Sequence, residues 1–513
     1  MKKTRMKKLR YGGVALAVTV LVVCATVILN VIAAMLSARY EWMYVNMNVN
    51  TVYSISDNCR DYVEEYVVSE VDARNEQSGQ SQKIKITFCD TEKSIKADER
   101  LKNIYDSIME LVSMFPEYIE VGYINIWEDP STARKYGVTS TADVICEFYD
   151  RHETVNFVDF YITDPANAEN AIAYNGEKIL ASCLMRVTQS DVPHCYFTVN
   201  HGESIEDLSL MKVMIEAGYT VGFLDLSSQT IPEDCELLIT YAPQRDASVS
   251  EDGVDEIAIL REYMLGGGRY MVFINADTYA AGGHHNFEGL LTDFGVTFNH
   301  RTSKDGIEQS YLIRDPQNSL SVDGYTVLSE NAENGMGAEA LSGTNYPNAF
   351  GNATAISFAS DFSADGKGNY VKQEAKVRMI AAPLLVTHPT AQAWMGGITV
   401  ARADEQPFVM MSMTKSESNG KVGYLVACTS TEFASQEKLQ SAVLGNSRTI
   451  TEVIRYMGRD NAPATLTFKS FSGTTIESLR TSVANTCTIV LAVVPTAIIA
   501  IVGAVVLIRR RFL

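Results

Sequence analysis

Two long apolar stretches without a charged residue, one near each end, constrain this chain more than any other feature. Residues 11–36 contain only Thr19, Thr26 and Asn30 as clearly polar side chains, and residues 486–508 contain Pro495 but no charge. A helix rises 1.5 Å per residue, so about 20 apolar residues cross the hydrocarbon core of a membrane. Proline is tolerated in such helices. The sequence therefore predicts two transmembrane helices, at residues 11–36 and 486–508.

The first stretch has two alternative interpretations. A cleaved secretory signal has an apolar region of about 7–15 residues, which is shorter than residues 11–36. A lipoprotein signal around Cys24 normally has a small residue before the cysteine, whereas Val23 occupies that position. An uncleaved anchor, with Cys24 buried in the membrane, agrees better with the sequence.

Basic residues flank both predicted helices and orient them. Six of the first ten residues are Lys or Arg, and residues 509–511 are all arginine. Basic flanks lie on the cytoplasmic side of a membrane, so we expect both tails, residues 1–10 and 509–513, in the cytoplasm. The chain is then a two-pass protein of the cell membrane whose main body is extracytoplasmic. A juxtamembrane strand and linker at 37–82 and a juxtamembrane segment at 471–485 are expected to join the body to the membrane.

The charge of the body excludes one class of partner. The overall net charge is −19, yet nine of the 43 basic residues lie in the two tails, where no acidic residue occurs. The part between the helices is therefore more acidic than the whole chain. Such a surface repels phosphate backbones, so we expect no nucleic-acid partner.

Nine cysteines are spread widely along the chain. Cys24 and Cys487 lie in the predicted helices, which leaves seven in the body, with no C-x-x-C pair. This spacing is typical neither of a disulfide framework nor of a zinc site. We expect mostly small buried hydrophobic residues, with one or two disulfides left open.

Residues 83–190 predict an α/β unit. Ile84, Ile86 and Phe88 alternate with polar residues as in a strand, a helical apolar stripe follows at 101–115, and further strands are predicted at 118–127 and 144–148. The order resembles a thioredoxin-like domain. The redox motif of that family is missing, because Cys89 has no second cysteine nearby.

Residues 191–470 predict a second α/β unit. Apolar strands are expected at 195–199, 219–225, 236–241 and 269–275, with helices from 204 to Gly218 and from 251 to 265 between them. Strands that alternate with helices of this length predict a doubly wound parallel sheet with helices on both faces. The fold class is therefore α/β throughout the body.

Several segments of this second unit resemble the gliding-motility-associated ABC transporter auxiliary family (GldG-like). They are CYFTVNHGE (195–203), AGYTV (217–221), LDLS (224–227), IPEDCELLITYAP (231–243), YMLGGGRYMV (263–272) and GYLVACTSTEF (423–433). The resemblance covers about two thirds of the chain, and Asn200 stands where the family tends to have glycine. Residues 300–370 match poorly, and their Asn, Gly, Ser and Asp content predicts an irregular insertion.

The sharpest local motif is the turn Asn200, His201, Gly202 and Glu203, our candidate ligand-binding residues. It follows a predicted parallel strand and precedes a helix, where open α/β sheets bind ligands. His201 could serve as an acid, base or ligand, with Glu203 orienting it. The alternative is a structural turn in which glycine relieves strain and Glu203 favours the positive end of the helix.

Other catalytic patterns are absent from the sequence. No G-x-S-x-G elbow occurs, so hydrolase or transferase activity is not expected, and no G-x-x-x-x-G-K-[ST] occurs, so the chain is not itself an ATPase by that motif. The residues 266–268, all glycine, follow a helix rather than open one. His284, His285, His201 and His300 lack a ligand spacing, so we expect no metal, and no cofactor is predicted.

Two functional hypotheses remain. The resemblance implies a non-catalytic auxiliary subunit of an ABC transporter, which associates with separate ATPase and permease subunits and whose body contacts substrate or envelope polymers. Two single crossings are too few to line a transport path but can dock against a permease through small residues such as Gly503. The alternative is a stand-alone envelope receptor or enzyme that binds a small ligand at the His201 turn.

Overall fold

The computed structural model describes residues 52–471 apart from positions 165–166, 204–208, 250–252, 275–284, 303–307, 375, 405 and 442. Val52–Ser472 forms one compact unit. The two predicted transmembrane helices (11–36 and 486–508), the tails 1–10 and 509–513, the segment 37–51 and all but the first residue of 471–485 lie outside the described residues. Within the described part, no helix is both long and apolar enough for a membrane crossing.

The first element is helical where the sequence predicted a linker. It consists of α1 (Asp57–Tyr62), a π-helical segment (Val63–Val68) and α2 (Ser69–Ser78). Four side chains buried at four-residue intervals form its inner stripe: Cys59, Val63, Val67 and Val71. An α-helix has 3.6 residues per turn, so side chains spaced four residues apart shift gradually around it. The π turn contains more residues and brings these side chains back to one side. The prediction of a strand and linker over 37–82 is therefore wrong for residues 57–78, which are helical and bury this stripe of side chains.

An α/β unit with a mixed sheet follows. Its elements are β1 (Ile84–Phe88), α3 (Glu92–Ala97), α4 (Glu99–Met114), β2 (Ile119–Tyr123), α5 (Pro130–Lys135), β3 (Val144–Phe148), β4 (Arg151–Val155), a 3-10 turn (Phe157–Phe160), β5 (Tyr161–Asp164), β6 (Asn167–Tyr174) and α6 (Gly176–Thr188). The order is β2–β1–β3–β4; β1 is parallel to β2, and β3 is antiparallel to β1 and β4. The strand predicted at 84–88 and the helix predicted at 101–115 both form.

The remaining elements build one sheet of 13 strands, the helices packed on it and several smaller sheets. They are β7 (His194–Thr198), α7 (Ser209–Glu216), β8 (Thr220–Leu224), β9 (Cys235–Tyr241), α8 (Glu256–Leu265), β10 (Arg269–Phe273), α9 (His285–Asp293), β11 (Val296–Phe298), β12 (His300–Thr302), β13 (Glu308–Ser310), β14 (Leu312–Arg314), β15 (Thr326–Asn331), α10 (Gly335–Ala340), β16 (Asn348–Gly351), β17 (Ile356–Phe358), β18 (Ser363–Ala364), β19 (Tyr370–Gln373), β20 (Val377–Thr387), β21 (Gln392–Met395), β22 (Ile398–Arg402), β23 (Val409–Ser418), β24 (Lys421–Cys428), a 3-10 turn (Thr431–Ala434), α11 (Gln436–Leu439), α12 (Asn446–Tyr456) and β25 (Lys469–Ser470).

Both faces of the large sheet are buried. In β9, Leu237 and Ile239 join a core that includes α7 and α12, whereas Leu238 faces the core that includes α8 and α9. Strands that are buried on both faces have continuous apolar sequences, and runs of this kind predicted these strands. The α/β class predicted for the body is confirmed.

Only one half of this sheet is parallel. Strands β8, β7, β9, β10 and β24 run parallel to their neighbours, but β24, β23, β20, β15 and β16 continue the sheet as antiparallel pairs. The change begins at a two-residue hairpin turn in which Asn419 (φ 50°) and Gly420 (φ 78°) are both left-handed. Asn-Gly favours this tight turn, which joins antiparallel strands. The sheet is therefore mixed rather than wholly parallel.

The stretch 300–370 is not irregular. It contains seven short strands that begin before residue 370 (β12–β18) as well as α10, and four of them, β15–β18, belong to the large sheet. Its polar residues close the turns between strands: the Asp315 side chain accepts hydrogen bonds from the backbone of Gln317 and Asn318. The prediction was wrong because turn-forming residues between strands of two to six residues mask the strand periodicity.

The two ends of the compact unit lie side by side. Strand β25 pairs with β6, and the Phe471 ring lies 6.1 Å from that of Tyr53. Lys469 Nζ donates to the Ser54 carbonyl oxygen at 2.6 Å and to Glu177 Oε1 at 2.9 Å. The chain therefore enters and leaves this unit at one place.

Candidate functional site

The predicted turn follows β7 in a strained backbone conformation. Asn200 (φ 84°) and Gly202 (φ 76°) are both left-handed. Asparagine tolerates this region better than most residues, and glycine adopts it freely. This explains why Asn200 can occupy a position where the resembling family tends to have glycine. The exposed Asn200 side chain donates to Ser227 Oγ at 3.1 Å.

His201 is buried between two carboxylates. Its side chain is 7% exposed, with Nδ1 3.1 Å from Glu203 Oε1 and Nε2 3.0 Å from Glu256 Oε2. The Phe287 ring packs edge-on at 5.9 Å. We call His201, Glu203 and Glu256 the His201 cluster.

Backbone and hydroxyl donors also bind the carboxylates of the His201 cluster, whereas Glu256 Oε1 has no hydrogen-bond partner among the described residues. The His201 amide donates to Glu203 Oε2 at 2.7 Å, Thr198 Oγ1 donates to Glu203 Oε1 at 3.1 Å, and the Ser248 amide donates to Glu256 Oε2 at 2.6 Å. Charge-assisted hydrogen bonds of this kind are about twice as strong as neutral ones. They fix the loop after β7 to the loop that precedes α8.

The carboxylates determine the charge of His201. The hydrogen bond to Glu203 raises the pKa of His201 to about 9, against the opposing effect of burial and with further support from Glu256. Burial would raise the pKa of Glu203, but hydrogen bonds from His201 and the backbone lower it overall. The cluster therefore holds an imidazolium at neutral pH, and neither ring nitrogen has a lone pair free for base catalysis or metal binding.

The geometry favours the structural interpretation of the turn. Of the four predicted residues, His201 and Glu203 come together, Gly202 makes the turn, and Asn200 points to a different loop through Ser227. Glu256, Ser248 and Phe287 were missed, since they come from other segments and no sequence spacing ties them to His201. Residues 204–208, where the following helix was predicted to begin, lie outside the described part.

The predicted end of that helix is confirmed. Gly218 (φ 92°) follows α7, its amide bonds to the Ile215 carbonyl, and the Tyr219 amide bonds to that of Met214. This is a Schellman C-cap, which glycine favours. The buried Arg459 donates to the carbonyls of Ala217 and Gly218 and strengthens the same end.

The seven cysteines of the described part are free and buried: Cys59, Cys89, Cys146, Cys183, Cys195, Cys235 and Cys428. Cys89 directly follows β1, where a redox thiol would be expected in a thioredoxin-like unit. Burial raises its pKa to about 12, which suppresses the thiolate that redox chemistry needs. Among the described side chains, no group of three His, Cys, Asp or Glu residues is arranged to hold a metal ion; His284 lies outside them.

No family model and no curated protein matches the chain. Among solved structures, the N-terminal domain of mmIFT52 has a TM-score of 0.37 and 12% identity over 51% of this chain and 96% of that one. PurLQS from Thermotoga maritima has a TM-score of 0.27 and 12% identity over 52% and 100%. A cytoplasmic protein from Salmonella typhimurium has a TM-score of 0.27 and 8% identity over 54% and 100%. Likenesses of this size identify neither a fold nor a function.

Proposed function

We propose that this protein is a non-catalytic, membrane-anchored, extracytoplasmic auxiliary subunit of an ABC transporter that works with separate ATPase and permease subunits. The observation that carries the proposal is the meeting of the two ends of the compact unit at Tyr53, Lys469 and Phe471. The two predicted transmembrane helices continue the chain from these ends. The segments 37–51 and 472–485 are similar in length and connect both predicted anchors to this place, so the two anchors can dock together against a permease.

The architecture of the body supports the same proposal. The strand order β2–β1–β3–β4 favours a thioredoxin-like unit over 83–190, and five parallel strands with helices on both faces favour a GldG-like unit over 191–470. The inert Cys89 thiol and the pairing of both His201 ring nitrogens with carboxylates support a non-catalytic role. These features also count against a stand-alone receptor or enzyme at the His201 turn.

Co-purification tests the proposal. The full-length chain, tagged at its C-terminus and extracted in mild detergent after cross-linking in cells, is expected to retain an ATPase and a multi-span permease, identified by mass spectrometry. The matched control replaces residues 486–508 with an unrelated apolar helix of equal length, which keeps the anchor but removes the permease contact. Recovery of neither subunit with the natural chain, or equal recovery with the control, would contradict the proposal.

A further inference from the structure

A cavity of about 230 Å³ lies beside α6. Helices α6 and α7 form two of its walls, and β4, β5, the 3-10 turn that contains Asp159 and the end of α11 contribute further residues. Its apolar lining includes Ile162, Val213 and Leu439, which are all buried. An apolar cavity of about 150 Å³ holds benzene in a well-studied protein. We call this the α6 cavity, and its size suits a ring-sized or branched apolar group.

Three ion pairs line the α6 cavity, and they differ in tightness. Lys178 pairs closely with Glu216, and their side chains are 9% and 16% exposed. Arg186 pairs with Glu153 at 2.8 Å. Lys212 and Asp159 lie 3.5 Å apart, with side chains 55% and 30% exposed. Charge-assisted hydrogen bonds normally measure about 2.7–2.9 Å, so the pair nearest the solvent is the loosest.

The lining also contains polar atoms that the protein does not satisfy. Asn175, which is 3% exposed, donates to Glu216 Oε1 at 3.1 Å, but its own Oδ1 has no hydrogen-bond partner in the described part of the chain. Arg186 Nε is also unpartnered there. Buried polar atoms are normally hydrogen-bonded, so these two atoms leave the lining of the α6 cavity with hydrogen-bonding capacity that the described part of the protein does not use.

We propose that the α6 cavity binds a small amphipathic zwitterion, namely an amino acid with an apolar side chain. The apolar group lies among Ile162, Val213 and Leu439, and the charged head lies at the loose pair, with its carboxylate on Lys212 and its ammonium on Asp159. A ligand of one sign would match only one of these groups and would leave the other without its ion-pair partner. A zwitterion matches both.

The α6 cavity is separate from the His201 cluster and from the proposed transporter role. None of the His201 cluster residues lines it, and the binding does not require an ATPase or a permease. A failure of the co-purification experiment and a failure of ligand binding would therefore be separate results.

Calorimetric titration of the purified full-length protein tests the inference. L-phenylalanine and L-leucine are expected to bind with a Kd of about 1 mM or below, whereas 2-phenylethanol, L-lysine and L-glutamate bind far more weakly. Lys212→Ala should weaken phenylalanine binding about tenfold, because a hydrogen bond to a charged group is lost. The matched control is Lys96→Ala, which removes an equally exposed lysine from the Glu92 pair elsewhere on the surface.

A second variant fills the cavity rather than changing its charge. Ile179 lines the cavity and is half-buried, so Ile179→Trp should abolish binding while the protein stays folded, as judged by its unfolding temperature without ligand. The inference is overturned if neither amino acid binds the natural protein, if Lys212→Ala binds as tightly as Lys96→Ala, or if 2-phenylethanol binds as tightly as phenylalanine.

Discussion

The His201 cluster and the α6 cavity place charged side chains in opposite circumstances. In the cluster, each ring nitrogen of His201 has a carboxylate and the Phe287 ring packs alongside. In the cavity, the Lys212–Asp159 pair is loose and Asn175 Oδ1 has no partner. The cluster stands out in the sequence, and the cavity does not. Glu256 Oε1 in the cluster also has no hydrogen-bond partner in the described part of the chain, so the two sites differ mainly in the cavity of about 230 Å³ that accompanies the unpaired atom at α6.

Removing one carboxylate from the cluster should have the largest effect. Glu256→Ala leaves a buried imidazolium with one partner, and breaking a buried ion pair costs about 3 kcal/mol or more. We expect the free energy of unfolding of the full-length protein, measured by chemical denaturation in detergent, to fall by that amount. Glu262→Ala, an exposed position on the same helix, is the control. A loss similar to that of the control would show that the cluster is not a stabilising contact.

The pH dependence of stability is the next largest effect. The folded pKa of His201 is about 9, above its unfolded value of about 6.5. The stabilisation is therefore complete below pH 6.5 and is lost as the pH rises through 9, and it amounts to about 3 kcal/mol. We expect this loss in denaturation curves between pH 6.5 and 9, with a flatter profile for His201→Gln. Parallel profiles would contradict the charge assigned to His201.

Within the cavity, the deep ion pair should matter more than the outer one. Lys178→Ala leaves the largely buried Glu216 with the Asn175 amide as its one side-chain partner in the described part of the chain, so we expect a loss of about 2 kcal/mol in unfolding free energy. The measurement is the same denaturation curve, compared with Lys212→Ala. A loss no greater than that of Lys212→Ala would mean that the two pairs are equivalent.

The outer pair should contribute the least to stability. Lys212 is half-exposed, and exposed ion pairs contribute about 0.2–1 kcal/mol. Lys212→Ala should therefore change the unfolding free energy by less than about 1 kcal/mol while it weakens phenylalanine binding. A larger loss of stability would indicate that Lys212 stabilises the fold instead of binding the ligand.

Periodicity predicted much of the fold. The alternation at Ile84 and Ile86 and the apolar run of β9 both form strands, because each is a local pattern whose burial follows from its spacing. The Asn419-Gly420 turn is an equally local signal for a hairpin, and the parallel interpretation overlooked it. The helix around Val63 and Val67 was missed because its apolar residues recur every four positions. This spacing fits the π-helical segment there and differs from the period of an α-helix.

The candidate sites were less predictable than the fold. Glu256 reaches His201 from a helix 55 positions later in the chain, and no spacing rule joins them. The α6 cavity draws Asn175, Lys212 and Leu439 from separate elements. Such sites depend on how the elements pack in three dimensions, which a single sequence does not encode in local patterns.

The side of the membrane on which the body lies is the central claim, and thiol labelling tests it most directly. The seven cysteines of the described part are buried, so they give a low background. Trp127→Cys places a thiol at a position that is 80% exposed, and Lys7→Cys places one in the N-terminal tail. In right-side-out membrane vesicles, a membrane-impermeant maleimide should label Trp127→Cys at once and Lys7→Cys only after detergent is added. Labelling of Lys7→Cys in sealed vesicles, with Trp127→Cys protected until lysis, would contradict the account.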